Sequence, residues 1–157
     1  MNITYQIAKL FRDVYHGGNW TAVNIKSTLA DVDWKQATTK MQSFNTIATL
    51  VYHINWYVEA VTKVLNHEPL EGNDKDSFNL SPVESPGDWL ALQQKMFANA
   101  DALAKLIEEF PIDKLDQTFV HEKYGTYYRN LHGLIEHNHY HLGQIVLIKK
   151  MLTRTSQ

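Results

Sequence analysis

Three histidines, His137, His139 and His141, lie close together near the C-terminal end of the sequence. Leucine and isoleucine recur every three to four residues around them, which predicts an α-helix. At about 100° per residue, His137 and His141 lie about 40° apart on that helix, whereas His139 is about 160° to 200° from both. The apolar stripe borders His137 and His141, so these two imidazoles are predicted to face inward. His139 falls on the polar side, together with Glu136, His132 and Lys150.

A pair of histidines four residues apart on one helix can bind the same metal ion. Two ligands make a weak site, and His53 is the candidate for a third because it lies on the apolar stripe of another predicted helix. A histidine at the edge of such a stripe is also commonly a packed residue with one hydrogen bond, and this alternative stays open. Three inward imidazoles without partners would cost roughly 1 to 3 kcal/mol each, whereas one metal ion satisfies all three. The spacing therefore favours a metal site formed by His53, His137 and His141.

Other metal and nucleophile chemistry finds no support in the sequence. The chain has no cysteine, which removes disulfides, thiolate nucleophiles and cysteine-based zinc or iron–sulfur sites. A ferritin-like two-metal bundle needs two Glu-x-x-His motifs, and the single one here, Glu136 to His139, lies on the polar face. His121 and Glu122 lack the second histidine of a zinc-protease helix. Any metal must therefore be held by nitrogen and oxygen.

Length, charge and hydropathy narrow the class of protein. The chain has 157 residues, which predicts one domain over residues 1–157. Its net charge is −2 and its 15 Lys and Arg form no cluster, so neither nucleic acid nor an anionic membrane is expected as a partner. No apolar stretch approaches the roughly 20 residues that span a bilayer, and the first residues lack the pattern of a secretion signal. We therefore expect a cytoplasmic protein.

Apolar residues at helical spacing predict an all-α protein, a four-helix bundle with a short accessory helix. The long helices are expected at about residues 2–15, 43–65, 85–110 and 130–152, and the short one at 21–29. Ser43 and Ser85 are the expected N-caps of the second and third long helices. Three connections are also predicted: a polar one at 31–39, a long polar loop at 66–84 whose Phe78 and Leu80 cover one end of the bundle, and a short hairpin at 118–128.

The motif His-x-x-x-His-x-Gly-Gln-Ile, which begins at His137, resembles the DinB/YfiT-like superfamily. His53 in a Val-x-His-Ile-x-Trp context and Trp20 after the first helix extend the resemblance over nearly the whole chain. The resemblance implies a four-helix bundle in which His53, His137 and His141 bind a divalent metal such as zinc, nickel or manganese, commonly in a homodimer. It also implies a thiol-dependent transferase that joins a low-molecular-weight thiol to a small electrophilic substrate, or a hydrolase.

The resemblance does not fix the reaction, which depends on the loops at 66–84 and 112–129. Tyr57, Tyr140 and Gln144 each lie one turn from a predicted ligand and could orient a ligand or a bound molecule, although Tyr57 is better explained as a core aromatic residue. Three neutral imidazoles leave a divalent ion an open position, as in a catalytic site. A non-catalytic metal- or ligand-binding bundle is the alternative. A polar cleft beside the ion would favour the enzyme. An ion sealed beneath aromatic side chains would favour the non-catalytic binding module.

Two further expectations concern mechanism and assembly. No carboxylate is an obvious general base in the sequence, which favours thiol transfer over hydrolysis because a metal-bound thiolate needs less help from a base. Since imidazoles bind metal only when neutral, metal affinity should weaken as the pH falls through about 6.5. Four tryptophans in a chain of this length add weight to the expectation of a homodimer.

Overall fold

The computed structural model describes residues 2–155, which contain six α-helices and no β-strand. The helices are α1 (Ile3–His16), α2 (Ile25–Leu29), α3 (Trp34–Thr38), α4 (Ile47–Leu65), α5 (Pro86–Glu109) and α6 (Tyr127–Thr155). Three 3-10 helices lie between them, at Asp74–Phe78, Ile112–Lys114 and Glu122–Tyr124. The predicted all-α class is confirmed. None of the helices in this range is both long and apolar enough to cross a bilayer.

The four long helices pack as a ring, because α1 and α4 each contact both α5 and α6. Each helix has apolar residues at intervals of three and four, so one face of each can be buried against its neighbours. The centre of the ring is filled by fully buried side chains from all four helices, among them Phe11, Leu50, Met96, Leu103 and Ile145. This packing brings α4 and α6, which carry the predicted histidines, into direct contact.

The helix starts follow from their N-cap residues, with one correction to the prediction. Ser85 caps α5 as expected, and Pro86 is the first helical residue. In contrast, α4 begins at Ile47 behind Thr46, whose hydroxyl accepts a hydrogen bond from the Thr49 amide at 3.1 Å. Ser43 is not the cap, because the chain turns at Gln42, where φ is 48°, and reaches the helical conformation only afterwards.

The segment between α1 and α4 is more helical than predicted. The short accessory helix α2 starts at Ile25 rather than residue 21, behind the N-cap Asn24. The expected polar connection at 31–39 contains α3, which starts with a capping box in which Asp33 and Gln36 each bond the backbone of the other. These caps satisfy the free amides of two helices that are too short to be stable alone.

The predicted hairpin at 118–128 is present only in rudimentary form. Thr118 and Thr126 form a single isolated antiparallel bridge, and the 3-10 helix Glu122–Tyr124 occupies the turn between them. The last helix, α6, starts at Tyr127, earlier than predicted, because the Thr126 hydroxyl accepts a hydrogen bond from the Arg129 amide at 3.1 Å.

The loop at 66–84 folds back along α4. Its 3-10 helix packs against α4, and the Phe78 ring stacks on the His53 ring with centroids 4.1 Å apart. Gly72 permits this path: its φ is 93°, and a Cβ there would lie 2.7 Å from the Trp56 ring. Phe78 and Leu80 therefore pack on the bundle as predicted, but Phe78 covers His53 within α4 rather than an end of the bundle.

Candidate metal centre

The three predicted histidines meet where α4 packs on α6. The Nε2 atom of His137 lies 3.0 Å from Nε2 of His53 and 3.1 Å from Nε2 of His141. One ring nitrogen from each histidine falls within 4.8 Å of the other two, and His53 and His141 are buried. His139 is not part of this cluster, as the helical angles predicted. Two distant parts of the chain thus bring three imidazoles to one point.

The spacing of the three nitrogens suits a metal ion. In a tetrahedral zinc site with bonds of 2.0 to 2.1 Å, two ligand nitrogens lie about 3.3 Å apart, close to the 3.0 and 3.1 Å found here. Neutral imidazoles that point lone pairs at one another at this distance repel unless a proton or a cation lies between them. The question is therefore which ring nitrogens carry protons.

The proton on His53 is placed by the loop at 66–84. Ser77 donates its single hydroxyl proton to the Asp74 carbonyl at 2.5 Å. Its Oγ can therefore only accept from His53 Nδ1, which lies 2.7 Å away. The His53 proton is on Nδ1, and Nε2 directs a lone pair into the cluster.

The proton on His141 is placed by Gln144, one turn further along α6. The His141 Nδ1–H group donates to Gln144 Oε1 at 2.7 Å, which leaves the Nε2 lone pair facing His137. The Gln144 amide in turn donates to the Tyr140 hydroxyl at 3.2 Å. Gln144 and Tyr140, both predicted to stand behind a ligand, therefore form a chain that orients the His141 ring.

The third ring, His137, has one unsatisfied atom. Its Nδ1 is buried and has no hydrogen-bond partner, and the same is true of Oδ1 of the adjacent Asn138. The Asn138 amide donates to the hydroxyl of the buried Tyr15 at 3.0 Å. If the His137 Nδ1–H group donated to Asn138 Oδ1, both unpaired atoms would be satisfied. The Nε2 lone pair of His137 would then point toward the other two rings.

Burial keeps the cluster uncharged. Desolvation, followed by repulsion from the neighbouring imidazoles, lowers the pKa of His53 and of His137 to about 4. Burial also lowers the pKa of His141. Asp74 raises the pKa of all three, but its effect is smaller than that of burial. All three imidazoles are therefore neutral at pH 7, and for His53 and His137 protons compete with a metal only well below the pH of about 6.5 that free imidazole suggests.

A family model of the DinB superfamily matches residues 14–145, most of the chain and all three clustered histidines. The chain belongs to the DinB superfamily. No curated protein and no solved structure matches it. The resemblance that the histidine motif suggested is therefore confirmed at the level of the superfamily.

Two residues that sequence reasoning missed complete the surroundings of this DinB cluster. Ser77 orients His53, and the Asp74 carboxylate accepts a hydrogen bond from the Tyr57 hydroxyl at 2.6 Å. The Tyr57 ring lies 4.5 Å from the His137 ring, and burial together with Asp74 raises the Tyr57 pKa to about 12. Tyr57 is thus a packed aromatic residue whose hydroxyl faces the loop. Asn73 and Asp76 form a capping box, and this pattern could have predicted the 3-10 helix that carries both missed residues.

One of two open cavities on this side of the DinB protein reaches the histidines. A cleft of about 410 Å³ reaches His137 and is lined by both polar and apolar residues, Tyr57, Val61, Lys123, Tyr124, Arg129, Asn130, Gly133 and Leu134. A smaller, largely apolar pocket of about 240 Å³ reaches Gln144, between Phe44, Tyr140 and Leu147. Phe78 covers His53 from one side, but the cluster remains accessible from the cleft.

Proposed function

We propose that this DinB superfamily protein is a divalent-metal-dependent thiol transferase whose metal is held by His53, His137 and His141. The observation that carries the proposal is the convergence of three neutral imidazoles, with Nε2 separations of 3.0 and 3.1 Å, beside an open cleft lined by polar and apolar residues. Zinc, nickel and manganese are the candidate ions.

A divalent cation at this position lowers the pKa of a bound thiol or water, which makes a nucleophile available near pH 7. The protein supplies three neutral donors, so the charge of the cation is not reduced by its ligands. Ser77 and Gln144 hold the Nδ1–H groups of two of the rings and thereby fix the direction of their Nε2 lone pairs. Tyr57 lines the cleft, and its hydroxyl donates a hydrogen bond to the Asp74 carboxylate.

A cleft that reaches His137 and carries polar side chains supports an enzyme rather than a non-catalytic metal-binding bundle. The thiol and a small electrophilic acceptor would both enter by this cleft, because the apolar pocket on the Gln144 side is not lined by any of the three histidines.

Hydrolysis is the second candidate, and Asp74 is the observation in its favour. The sequence offered no obvious general base, yet the fold places the Asp74 carboxylate on the Tyr57 hydroxyl beside the cluster. A carboxylate there could accept a proton from an attacking water. Asp74→Asn separates the two reactions, because it should abolish hydrolysis and leave transfer of a thiol that is already deprotonated.

The metal claim is tested by elemental analysis of protein purified without chelator or nickel resin. We expect about one equivalent of a divalent metal per chain. His141→Ala should abolish binding, whereas the matched variant His139→Ala, on the same helix but outside the cluster, should retain it. Equal loss in both variants, or no metal in the unmodified protein under metal supplementation, would refute the proposal.

The reaction is tested by offering the metal-loaded protein several cellular thiols with a panel of electrophiles. Thiol consumption that depends on metal and disappears in His141→Ala would support transfer. Turnover of ester or amide substrates without thiol would favour hydrolysis, and absence of any turnover would leave the non-catalytic binding module.

A further inference from the structure

The cleft that reaches His137 carries two cationic side chains, Lys123 and Arg129, on its walls. We infer that these two residues bind a carboxylate of the thiol substrate, so that the substrate class is an aliphatic thiol with a carboxylate several bonds from the sulfur. The inference rests on the proposed function and specifies its substrate.

The guanidinium of Arg129 lies along α6 toward the histidine cluster. A Cβ at Gly133 would lie 2.6 Å from Arg129 Nη1, so the guanidinium lies directly over this glycine. Gly133 is one turn before His137, about 6 Å along the helix axis. The Arg129 guanidinium therefore lies in the cleft within reach of a molecule whose other end is at the histidine cluster.

The hydrogen-bonding capacity of Arg129 is largely unused. Its nearest carboxylate is that of Glu136, 3.8 Å from Nη1, and both side chains are mostly exposed. An exposed pair at this distance contributes little. The planar guanidinium can therefore bind a second, better-placed carboxylate by donating two parallel hydrogen bonds to it.

The turn that carries Lys123 is held against the bundle. The Phe119 amide donates to the Gly125 carbonyl at 2.9 Å, and the Asn130 side chain donates to the Tyr124 carbonyl at 2.9 Å. Lys123 Nζ lies 4.7 Å from the centre of the Tyr124 ring, and no carboxylate within residues 2–155 forms an ion pair with it. Its charge is therefore available to a ligand in the cleft.

The other residues that line the cleft indicate the chemistry of the rest of the ligand. Val61 and Leu134 give the same cleft apolar surface. A carboxylate at Arg129, a short apolar chain along these residues and a sulfur at the cluster would occupy the cleft end to end. A neutral thiol of the same length would leave Lys123 without a counter-charge and Arg129 with only the distant Glu136 carboxylate.

The test compares two thiols of equal length, 6-mercaptohexanoate and 6-mercaptohexan-1-ol. The protein is loaded with Co²⁺ as a spectroscopic substitute, and thiol binding is followed by the thiolate-to-cobalt absorption at low ionic strength. We expect the carboxylate thiol to bind about tenfold more tightly, as is usual for a charge-assisted contact, and the preference to decrease with added salt. Equal affinity of the two thiols would overturn the inference.

Two matched pairs of variants locate the preference. Arg129→Gln should bring the two affinities within twofold of each other, whereas Lys26→Gln, an exposed residue on α2 outside the cleft, should leave the preference intact. Gly133→Ala should reduce the preference because its methyl group displaces the guanidinium. Gly143→Ala makes the same change on the same helix where nothing lies within 4 Å, and should retain it. A preference unchanged in Arg129→Gln and in Gly133→Ala would refute the site.

The same experiment separates this inference from the proposed function. Cobalt absorption before any thiol is added reports metal binding alone. If cobalt binds and the two thiols do not differ, only the anion site fails. If cobalt does not bind, the proposed function fails, and the anion site is judged by chemical shifts of the metal-free protein: perturbation near Arg129 by hexanoate but not by hexan-1-ol supports it, and equal effects overturn it.

Discussion

Acid should destabilise the metal-free protein through its clustered imidazoles. A histidine in the unfolded chain has a pKa of about 6.5, whereas burial, followed by repulsion from neighbouring imidazoles, lowers the pKa of His53 and His137 to about 4 in the folded protein. Between these values the unfolded chain binds more protons than the folded one. The free energy of unfolding is therefore highest above pH 6.5 and falls as the pH drops toward 4.

The size of the effect follows from the two pKa values. For one such imidazole, a change from pH 8 to pH 5 lowers the free energy of unfolding by about 2 kcal/mol. His53 and His137 together give about 4 kcal/mol if they act independently. This is a large part of the roughly 5 to 15 kcal/mol that stabilises a typical domain.

The assay is urea unfolding followed by circular dichroism, with chelator present, at several pH values from 8 to 5. His137→Gln removes one of the two imidazoles and should reduce the loss between these pH values by about 2 kcal/mol. His67→Asn, which replaces an exposed histidine outside the cluster by a residue that also tolerates its φ of 63°, serves as the control and should follow the unmodified protein. The reasoning would be refuted by a His137→Gln variant that loses as much stability on acidification as the unmodified protein.

Two further predictions concern the site and the assembly. Ser77→Ala removes the acceptor of the His53 Nδ1–H group and should weaken metal affinity about 10- to 100-fold in competition with a chelator; unchanged affinity would mean that this bond does not orient the ring. We also expect a homodimer, because Trp20 and Leu90 are large exposed apolar residues that a second copy could cover. Light scattering should then give twice the 18.2 kDa mass of the chain. A measured mass equal to that of one chain would refute this prediction.

The helical part of the site was predictable because helices repeat. The 3.6-residue period sorted His137 and His141 from His139, and it placed His53 on an inward face. Packing of the two apolar stripes was then enough to bring the three rings together. Nothing in this argument required knowledge of the loops.

The loop contributions could not be obtained in the same way. Ser77 and Asp74 have no periodic neighbours, and their roles depend on a chain path that Gly72 permits beside Trp56. The helix α3 was missed for a different reason. Its five residues carry almost no stripe, and only the capping box at Asp33 shows its start.

The two cations of the cleft were equally invisible in the sequence. Lys123 lies in a turn, and Arg129 lies before the predicted start of α6, so no helical face could be assigned to either. Their proximity depends on a single bridge and a 3-10 turn, which are short-range features that hydrophobic patterning does not encode.

All three imidazoles come from long helices of the bundle, whereas Asp74, Ser77 and Phe78 come from one segment between α4 and α5. The imidazoles proposed as metal ligands and these three residues thus lie in separate parts of the chain. Replacement of that segment by the equivalent stretch of another family member would exchange the hydroxyl behind His53, the carboxylate on Tyr57 and the aromatic cover in a single step, while the nitrogen positions stay where the helices set them. Diversification of chemistry in this lineage can therefore proceed by loop exchange on an unchanged scaffold.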